Sequence, residues 1–240
     1  MKALVTDGRV IRSLFIIILP AMVATMLTSG CDSSDVSIEP PVEMTLGVPE
    51  GFEPVPVPAF NRVTADKVEL GERLFFDTIL SRDHSISCAS CHEPELAFAD
   101  PREVSLGVEN RPGRRNSPSL VNVAYQALLF WDGGALSLEN QALGPLEDEN
   151  EMDSNLGEVL VRLNDDASYA AQFSEVFGDT ATIQTMTQAL AAYQRTIRSG
   201  GSKFDQFENG QDDAFTERER RGFDVFTGKA GCTACHHGFL

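Results

Sequence analysis

Two copies of the pattern Cys-x-x-Cys-His constrain this chain more than any other feature. The motifs are Cys88-Ala-Ser-Cys91-His92 and Cys232-Thr-Ala-Cys235-His236. Two thiols at this spacing on one helical turn can add across the two vinyl groups of haem, and the next imidazole can then bind the iron from one face. The sequence therefore predicts two covalently bound c-type haems, with His92 and His236 as iron ligands.

Other uses of these four cysteines fit the sequence less well. An exported chain could pair them as two disulfides. A thioredoxin-like redox pair would need a strand followed by a helix, which the sequence does not predict around either motif. A zinc finger would need a second histidine several residues further on, whereas His237 directly follows His236. Haem attachment is the interpretation we favour.

The N-terminus is typical of an exported protein. Three basic residues precede an uncharged apolar run at 14–27, which Pro20 interrupts. This run is too short for a comfortable membrane span, but it suits the core of a signal peptide. Residues 1–30 are therefore predicted to be a signal peptide that directs the protein to the periplasm.

Cys31 lies at the end of the export signal, in a sequence similar to a lipoprotein cleavage site. Ser29 and Gly30 precede it as in a bacterial lipoprotein cleavage box, although Thr28 stands where that box usually has Leu. We expect a lipoprotein-type signal with a lipid anchor at Cys31, the alternative being that Cys31 is simply part of the signal region. Residues 31–58 hold six prolines and several acids without periodicity, which predicts an extended tether.

The formal net charge of the chain is −17. A phosphate backbone would be repelled by so acidic a protein, so nucleic acid is excluded as an expected partner. Long-range attraction would instead steer a small basic protein toward it. An acidic surface that serves only solubility is the alternative, and charge alone does not separate the two.

The remaining sequence predicts a mainly α protein with an internal repeat. Residues 64–77 and 216–229 each combine a Thr cap, a helical pattern and a central glycine (Gly71 or Gly222), and each leads into a haem motif. Each copy looks like the opening of a cytochrome c domain, where the glycine would allow close packing with a later helix. Apolar residues at helical spacing mark two further helices, near 155–173 and 182–199, and long loops are expected between 93 and 153.

Four stretches closely resemble the bacterial dihaem cytochrome c peroxidase family, which includes MauG. They are "LGERLFFDTILSRDHSISCASCHEPELAFAD", "RNSPSLVNVAYQALLFWDGGALSLENQALGPLEDENEM", "AYQRTIRSGGSKFDQF" and "RRGFDVFTGKAGCTACH". The resemblance implies two cytochrome c-like domains: residues 59–210 as the first, peroxidatic haem domain with connecting helices, and residues 211–240 as the start of the second. Since that second domain is large in the family, the chain is expected to be a truncated or incomplete one.

The resemblance also implies an activity. The family reduces hydrogen peroxide to water with electrons from a small donor cytochrome or cupredoxin, which would pass through the second haem and Trp131 to the first. One alternative is MauG-like oxidation of a protein substrate. Another is a non-catalytic dihaem electron carrier. A homodimer is a further expectation for the assembly.

Several residues take roles from the resemblance. Glu151 falls on the family's distal glutamate, which moves the peroxide proton, and Gln141 on its distal glutamine. Trp131 matches a tryptophan between the haems, and Asn116 matches a calcium ligand, so calcium is a further expected cofactor. From the residues alone, Glu151 could equally be one acid of an exposed run, Gln141 a surface amide and Trp131 a packing residue.

Many family members block the first haem with a second histidine from the loop after the first motif. Here that loop, residues 93–130, contains no histidine, and His84 precedes the motif in a predicted surface turn. We therefore expect a first haem that is five-coordinate or water-bound at rest, without a histidine switch, and competent without prior activation.

Overall fold

The computed structural model describes residues 42–236, and eight α-helices account for most of their regular structure. These are α1 (Ala65–Phe76), α2 (Leu138–Gln141), α3 (Leu143–Glu147), α4 (Leu156–Asp165), α5 (Ala167–Phe177), α6 (Ile183–Gln194), α7 (Lys203–Glu208) and α8 (Glu217–Thr227). Between residues 42 and 236, extended pairing is limited to three isolated bridges, Glu93–Ala99, Leu106–Pro112 and Leu129–Ala135. The predicted mainly α fold is confirmed. The predicted signal peptide, Cys31 and His237 lie outside the described residues.

The centre of the fold is the crossing of α1 and α6. Helix α1 begins at Thr64, whose hydroxyl accepts the Lys67 N–H, and it buries Leu70, Leu74 and Phe75. A Cβ on Gly71 would lie 2.6 Å from the Ala189 carbonyl carbon, so only glycine lets the two backbones approach this closely. The predicted role of Gly71 in close packing with a later helix is confirmed.

Helices α4 and α5 complete this core. Asn155 caps α4 and Asp166 caps α5, each through a side-chain oxygen that accepts backbone N–H groups of the first turn. The buried side chains of the pair are Val159, Leu163, Tyr169 and Phe173. Full burial of a large apolar side chain contributes about 1.5–3 kcal/mol, so these residues anchor the pair to the core.

Residues 42–58 lack helix, yet they lie on the folded body. The Glu53 carbonyl accepts a hydrogen bond from the Tyr125 hydroxyl at 2.9 Å, and the Pro56 carbonyl accepts one from Arg195 Nε at 3.3 Å. Val55 is buried. This part of the predicted tether is therefore packed against the domain. None of the helices described is both long and apolar enough to cross a membrane.

Helices α7 and α8 have a small aromatic cluster of their own. Phe207 stacks on Phe215 with ring centroids 4.6 Å apart, and Phe223 packs edge-on to Phe207 at 5.5 Å. Thr216 and Glu219 form the predicted capping box of α8. The second Cys-x-x-Cys-His motif follows, as a short turn at Cys232–Ala234.

Candidate active site

The first motif forms a tight turn that fixes the orientation of His92. Cys88–Ser90 is a single 3₁₀ turn, capped by reciprocal hydrogen bonds between Ser87 and Ser90. The His92 N–H donates to the Cys88 carbonyl at 3.0 Å, which places both thiols and the imidazole on one turn. This is the arrangement that thioether attachment and axial ligation of haem require.

The imidazole of His92 is oriented by a backbone carbonyl. Its Nδ1 lies 2.9 Å from the carbonyl oxygen of Phe98, so Nδ1–H donates to that oxygen and Nε2 keeps its lone pair. Ala97 and Phe98 both have left-handed backbone angles, which turn the chain back toward His92. Burial lowers the pKa of His92, and a neutral imidazole with a free Nε2 is the form that binds iron.

The four cysteines of the two motifs are free thiols, so neither motif is a disulfide. Burial raises the pKa of Cys88 to about 12, and burial also raises the pKa of Cys91. Among residues 42–236, no group of three or more His, Cys, Asp or Glu side chains is arranged to hold a metal ion. The described part of the chain therefore offers no zinc site at these cysteines.

His92 opens onto two adjoining cavities of about 350 and 70 Å³. The larger volume lies within the range of ligand pockets, about 300–1,000 Å³. The two cavities share six lining residues: His92, Ser117, Leu120, Gln141, Pro145 and Glu151. Cys88 and Cys91 line the smaller cavity. Two thiols and an imidazole at one cavity fit a covalently attached haem.

Glu151 lies on the wall of this cavity in the turn after α3. The residue keeps accessible surface and lines both cavities. Burial there raises the pKa of Glu151, and the nearby charge of Asp148 raises it further.

Gln141 lies at the end of α2, on the same cavity wall. Ser137 caps this helix by accepting the Asn140 N–H. Glu139 anchors it in the interior, because its Oε1 accepts hydrogen bonds from Arg195 at 2.8 Å and Asn61 at 2.7 Å. Burial alone would raise the pKa of Glu139, but these two donors outweigh it and hold the pKa below its ordinary value.

Trp131 and Asn116 lie beside each other on the larger cavity. The Trp131 indole is 64% exposed, and its Nε1–H donates to the Asn116 carbonyl at 2.8 Å. The side-chain amide of Asn116 donates to the carbonyls of Asp100 and Arg102, which leaves Oδ1 available. An amide oxygen is a suitable calcium ligand, and the calcium site stays a prediction.

The second motif repeats the turn of the first without its surroundings. The His236 N–H donates to the Cys232 carbonyl at 2.8 Å, as in the first motif. His236 and Cys235 are exposed, and α8 has no buried residue. Within the described part of the chain, the side chains thus supply no walls for a second haem pocket.

No histidine other than His92 lines either cavity in the described part of the chain. His84 lies in a surface turn with a left-handed backbone, where its Nε2 is 3.1 Å from Arg162. The structure thus places His84 in the kind of turn predicted from the sequence.

A family model described as "Di-haem cytochrome c peroxidase" matches residues 65–213. The chain belongs to the di-haem cytochrome c peroxidase family. The resemblance predicted from the sequence is therefore confirmed.

Relatives of the chain include proteins named MauG and proteins named cytochrome-c peroxidase. It is 42% identical over 186 residues to the methylamine utilization protein MauG of Methylorubrum extorquens, covering 77% of this chain and 53% of that protein. It is 44% identical over 192 residues to the cytochrome-c peroxidase IdrP1 of Denitromonas iodatirespirans, covering 78% and 50%. A solved structure of a MauG-like protein associated with microbial copper homeostasis is 36% identical, with a TM-score of 0.70, and covers 79% of this chain and 57% of that one. The chain spans about half the length of the curated relatives it matches.

Sequence reasoning missed Gln194, a polar residue of the candidate site. Gln194, the last residue of α6, is 5% exposed and lines the smaller cavity. It follows Leu190 by four positions, so it lies on the same helix face as that buried leucine. A polar residue on an apolar face was the signal that could have identified it.

Proposed function

We propose that the protein reduces hydrogen peroxide to water, with the first haem domain as the peroxidatic centre. Cys88 and Cys91 would hold the haem through thioethers, and His92 Nε2 would bind its iron. Bound there, the haem would supply an open iron position for peroxide and a path for two electrons. The observation that carries the proposal is that Glu151 and Gln141 line the same two cavities as His92.

Glu151 is the proton-transfer group in this proposal. Reduction of one peroxide to two waters consumes two electrons and two protons, and it requires a proton to reach the departing oxygen. A carboxyl whose pKa is raised by burial carries a proton at higher pH than an ordinary glutamate, and its ionised form can take one back. Gln141 is a neutral donor that would orient peroxide or water beside it.

Trp131 would relay electrons into the cavity. The indole ring lies on the cavity wall and is largely exposed, so it can face both the cavity and a second redox centre. The second motif, with His236 as iron ligand, would bind that centre. A small basic cytochrome or cupredoxin is the proposed donor, because the net charge of −17 would attract it.

We propose that the protein is exported to the periplasm. Covalent haem at both motifs, the apolar export signal and Cys31 as a lipid anchor form one consistent set. Calcium at Asn116 and assembly as a homodimer belong to the proposal as well.

Oxidation of a protein substrate is the second candidate function. It is favoured by the 42% identity to MauG and by the exposure of Trp131, through which an oxidising equivalent could leave the cavity. Peroxide consumption that needs a substrate protein, and that no donor cytochrome or cupredoxin supports, would favour this function over the peroxidase. A non-catalytic carrier would consume no peroxide with either partner.

The test is Glu151→Gln in the full-length, haem-loaded protein. Peroxide turnover with a reduced donor should fall about 10²–10⁴-fold, the usual contribution of general acid–base catalysis. Glu149→Gln is the matched control, because Glu149 lies two residues away and lines neither cavity. Unchanged turnover in Glu151→Gln would contradict the proposed role of Glu151.

The resting spectrum tests the open position independently. Because no second histidine lines the described cavity, the first haem should be five-coordinate or water-bound and high-spin before any reduction. A six-coordinate, low-spin first haem at rest would contradict the proposal.

A further inference from the structure

The backbone around Glu151 is held by hydrogen bonds within its own turn and by hydrogen bonds from two segments distant in sequence. The Glu151 N–H donates to the Asp148 carbonyl at 3.0 Å, and the Glu151 carbonyl accepts the Val108 N–H at 2.8 Å. Next to it, the Met152 carbonyl accepts the Arg82 N–H at 2.9 Å. Two other segments of the chain therefore fix the turn that carries Glu151.

Gly107 makes this approach possible. A Cβ at Gly107 would lie 2.6 Å from the Asn150 carbonyl carbon and 2.5 Å from the Glu151 carbonyl oxygen. Such contacts are too short for real Cβ atoms, so the loop and the turn touch backbone to backbone. The position of Glu151 is thus set by main-chain contacts as well as by its own turn.

The same three segments are joined by four charged side chains, which we call the brace: Arg82, Glu109, Arg111 and Asp153. The Asp153 carboxylate accepts from Arg82 Nη1 at 3.1 Å and from Arg111 Nη2. Glu109 pairs with Arg82 at 2.7 Å and lies 3.8 Å from Arg111. Each arginine therefore spans both acids, and Asp153 lies two residues after Glu151 in the chain.

Backbone angles in the brace and beside it are unusual for the residues present. Glu109, Asn110 and Asp153 all have φ between +50° and +59° without being glycine. Residues in this region cost free energy and persist only where their surroundings hold them, and they cluster at functional sites. Exposed ion pairs contribute little to global stability, so stability alone is a weak reason for such an arrangement.

We propose that the brace is a positioning device for Glu151, which holds its carboxylate against the cavity during peroxide reduction. The proposal rests on the proposed function of Glu151. The brace residues touch neither cavity, so they act through the turn and are not themselves catalytic.

The test uses Asp153→Asn and Arg111→Gln in the full-length, haem-loaded protein. Asn tolerates the left-handed backbone of Asp153 and keeps an acceptor oxygen, so Asp153→Asn removes the charge with little backbone strain. Arg111→Gln removes the guanidinium and leaves Asp153 in place. Arg62→Gln is the control, since Arg62 forms a solvent-exposed pair with Glu43 at 3.6 Å and lines neither cavity.

The first readout is hydrogen exchange of the amides in residues 148–153, which does not depend on turnover. Both brace variants should exchange faster there than the wild type, while Arg62→Gln should not. Unchanged exchange in both variants would overturn the proposal. Haem content and the melting temperature show that each variant is folded, and both should stay close to the wild-type values.

The second readout is turnover, measured alone and combined with Glu151→Gln. Each brace variant should lower kcat about 10-fold with a smaller change in KM, since misplacing a reacting group by about 1 Å can cost up to ~10²-fold. In the Glu151→Gln background the brace variants should cost nothing further. A loss that persists in that background, or full activity in both brace variants, overturns the positioning role. Unchanged turnover in Glu151→Gln alone would instead overturn the proposed function, and with it the catalytic purpose of the brace.

Discussion

The two copies of the internal repeat have the same local structure and different surroundings. In each, a threonine caps a helix with a central glycine, and a 3₁₀ turn then brings the His N–H onto the first Cys carbonyl. Helix α1 buries four residues, including Gly71 against Ala189. Helix α8 buries none, and a Cβ on Gly222 would meet nothing within 4 Å.

This difference shows which features a short segment forms by itself and which features require packing against other segments. Caps, helical periodicity and the motif turn arise within about 25 residues, so both copies have them. The pocket of the first copy needs α6 and the turn at Glu151, which lie far away in the chain. A Cys-x-x-Cys-His motif therefore specifies its own local turn, while the cavity around it is a property of tertiary packing.

Removing the thiols of each motif should give the largest effect. The double variant Cys88→Ser, Cys91→Ser should lose one covalent haem and all peroxide turnover, because it empties the enclosed cavity. The double variant Cys232→Ser, Cys235→Ser should also lose one haem and donor-driven turnover, but the spectrum of the remaining haem should match that of the wild-type first haem. Mass spectrometry and absorption spectra of the haem-loaded protein test both expectations, and a changed first-haem spectrum in the second variant would contradict them.

The two glycines should respond to alanine in opposite directions. Gly71→Ala forces a Cβ against the Ala189 backbone, and overpacking of this kind costs about 1–3 kcal/mol or more of unfolding free energy. Gly222→Ala meets open space and should stabilise α8 by about 0.5–1 kcal/mol, the helix preference of Ala over Gly. Urea unfolding measures the first change, and hydrogen exchange of the α8 amides measures the second. Equal losses at both positions would mean that Gly222 also lies against a neighbouring backbone.

The same distinction explains how much of the site the sequence could predict. His92, Cys88 and Cys91 follow from one pentapeptide, and Gly71 from its place in a helical pattern. The short helices α2 and α3 were missed within the predicted loop at 93–153, because Gly144 and Pro145 hide so brief a helical pattern. Glu151 and Gln141 were placed through the family resemblance, since nothing in their own spacing brings them to His92.

Contacts between distant segments were beyond local reasoning altogether. The brace pairs Arg111 with Asp153, 42 residues apart, and no periodicity relates them. Gln194 could be identified from the sequence as a polar residue on an apolar helix face. The cavity that it lines could not, because the loop and turn on the opposite side form the rest of its wall. Long-range pairing of this kind is set by the whole fold.

Substitutions at the helix caps should have the smallest effect on stability, and they compare the two copies at a single hydrogen bond. Thr64→Ala removes the acceptor of the Lys67 N–H, a loss of about 1 kcal/mol. Because α1 is part of the core, this loss should lower the global free energy of unfolding. Thr64→Ser keeps the hydroxyl and is the matched control.

Thr216→Ala removes the equivalent acceptor of the Glu219 N–H in α8. Since α8 buries no residue, its loss should stay local: faster hydrogen exchange in the first turn of α8, with the global unfolding midpoint unchanged. Thr216→Ser again serves as the control. A lowered global midpoint in Thr216→Ala would show that α8 unfolds together with the first domain, and it would remove the contrast between the two copies.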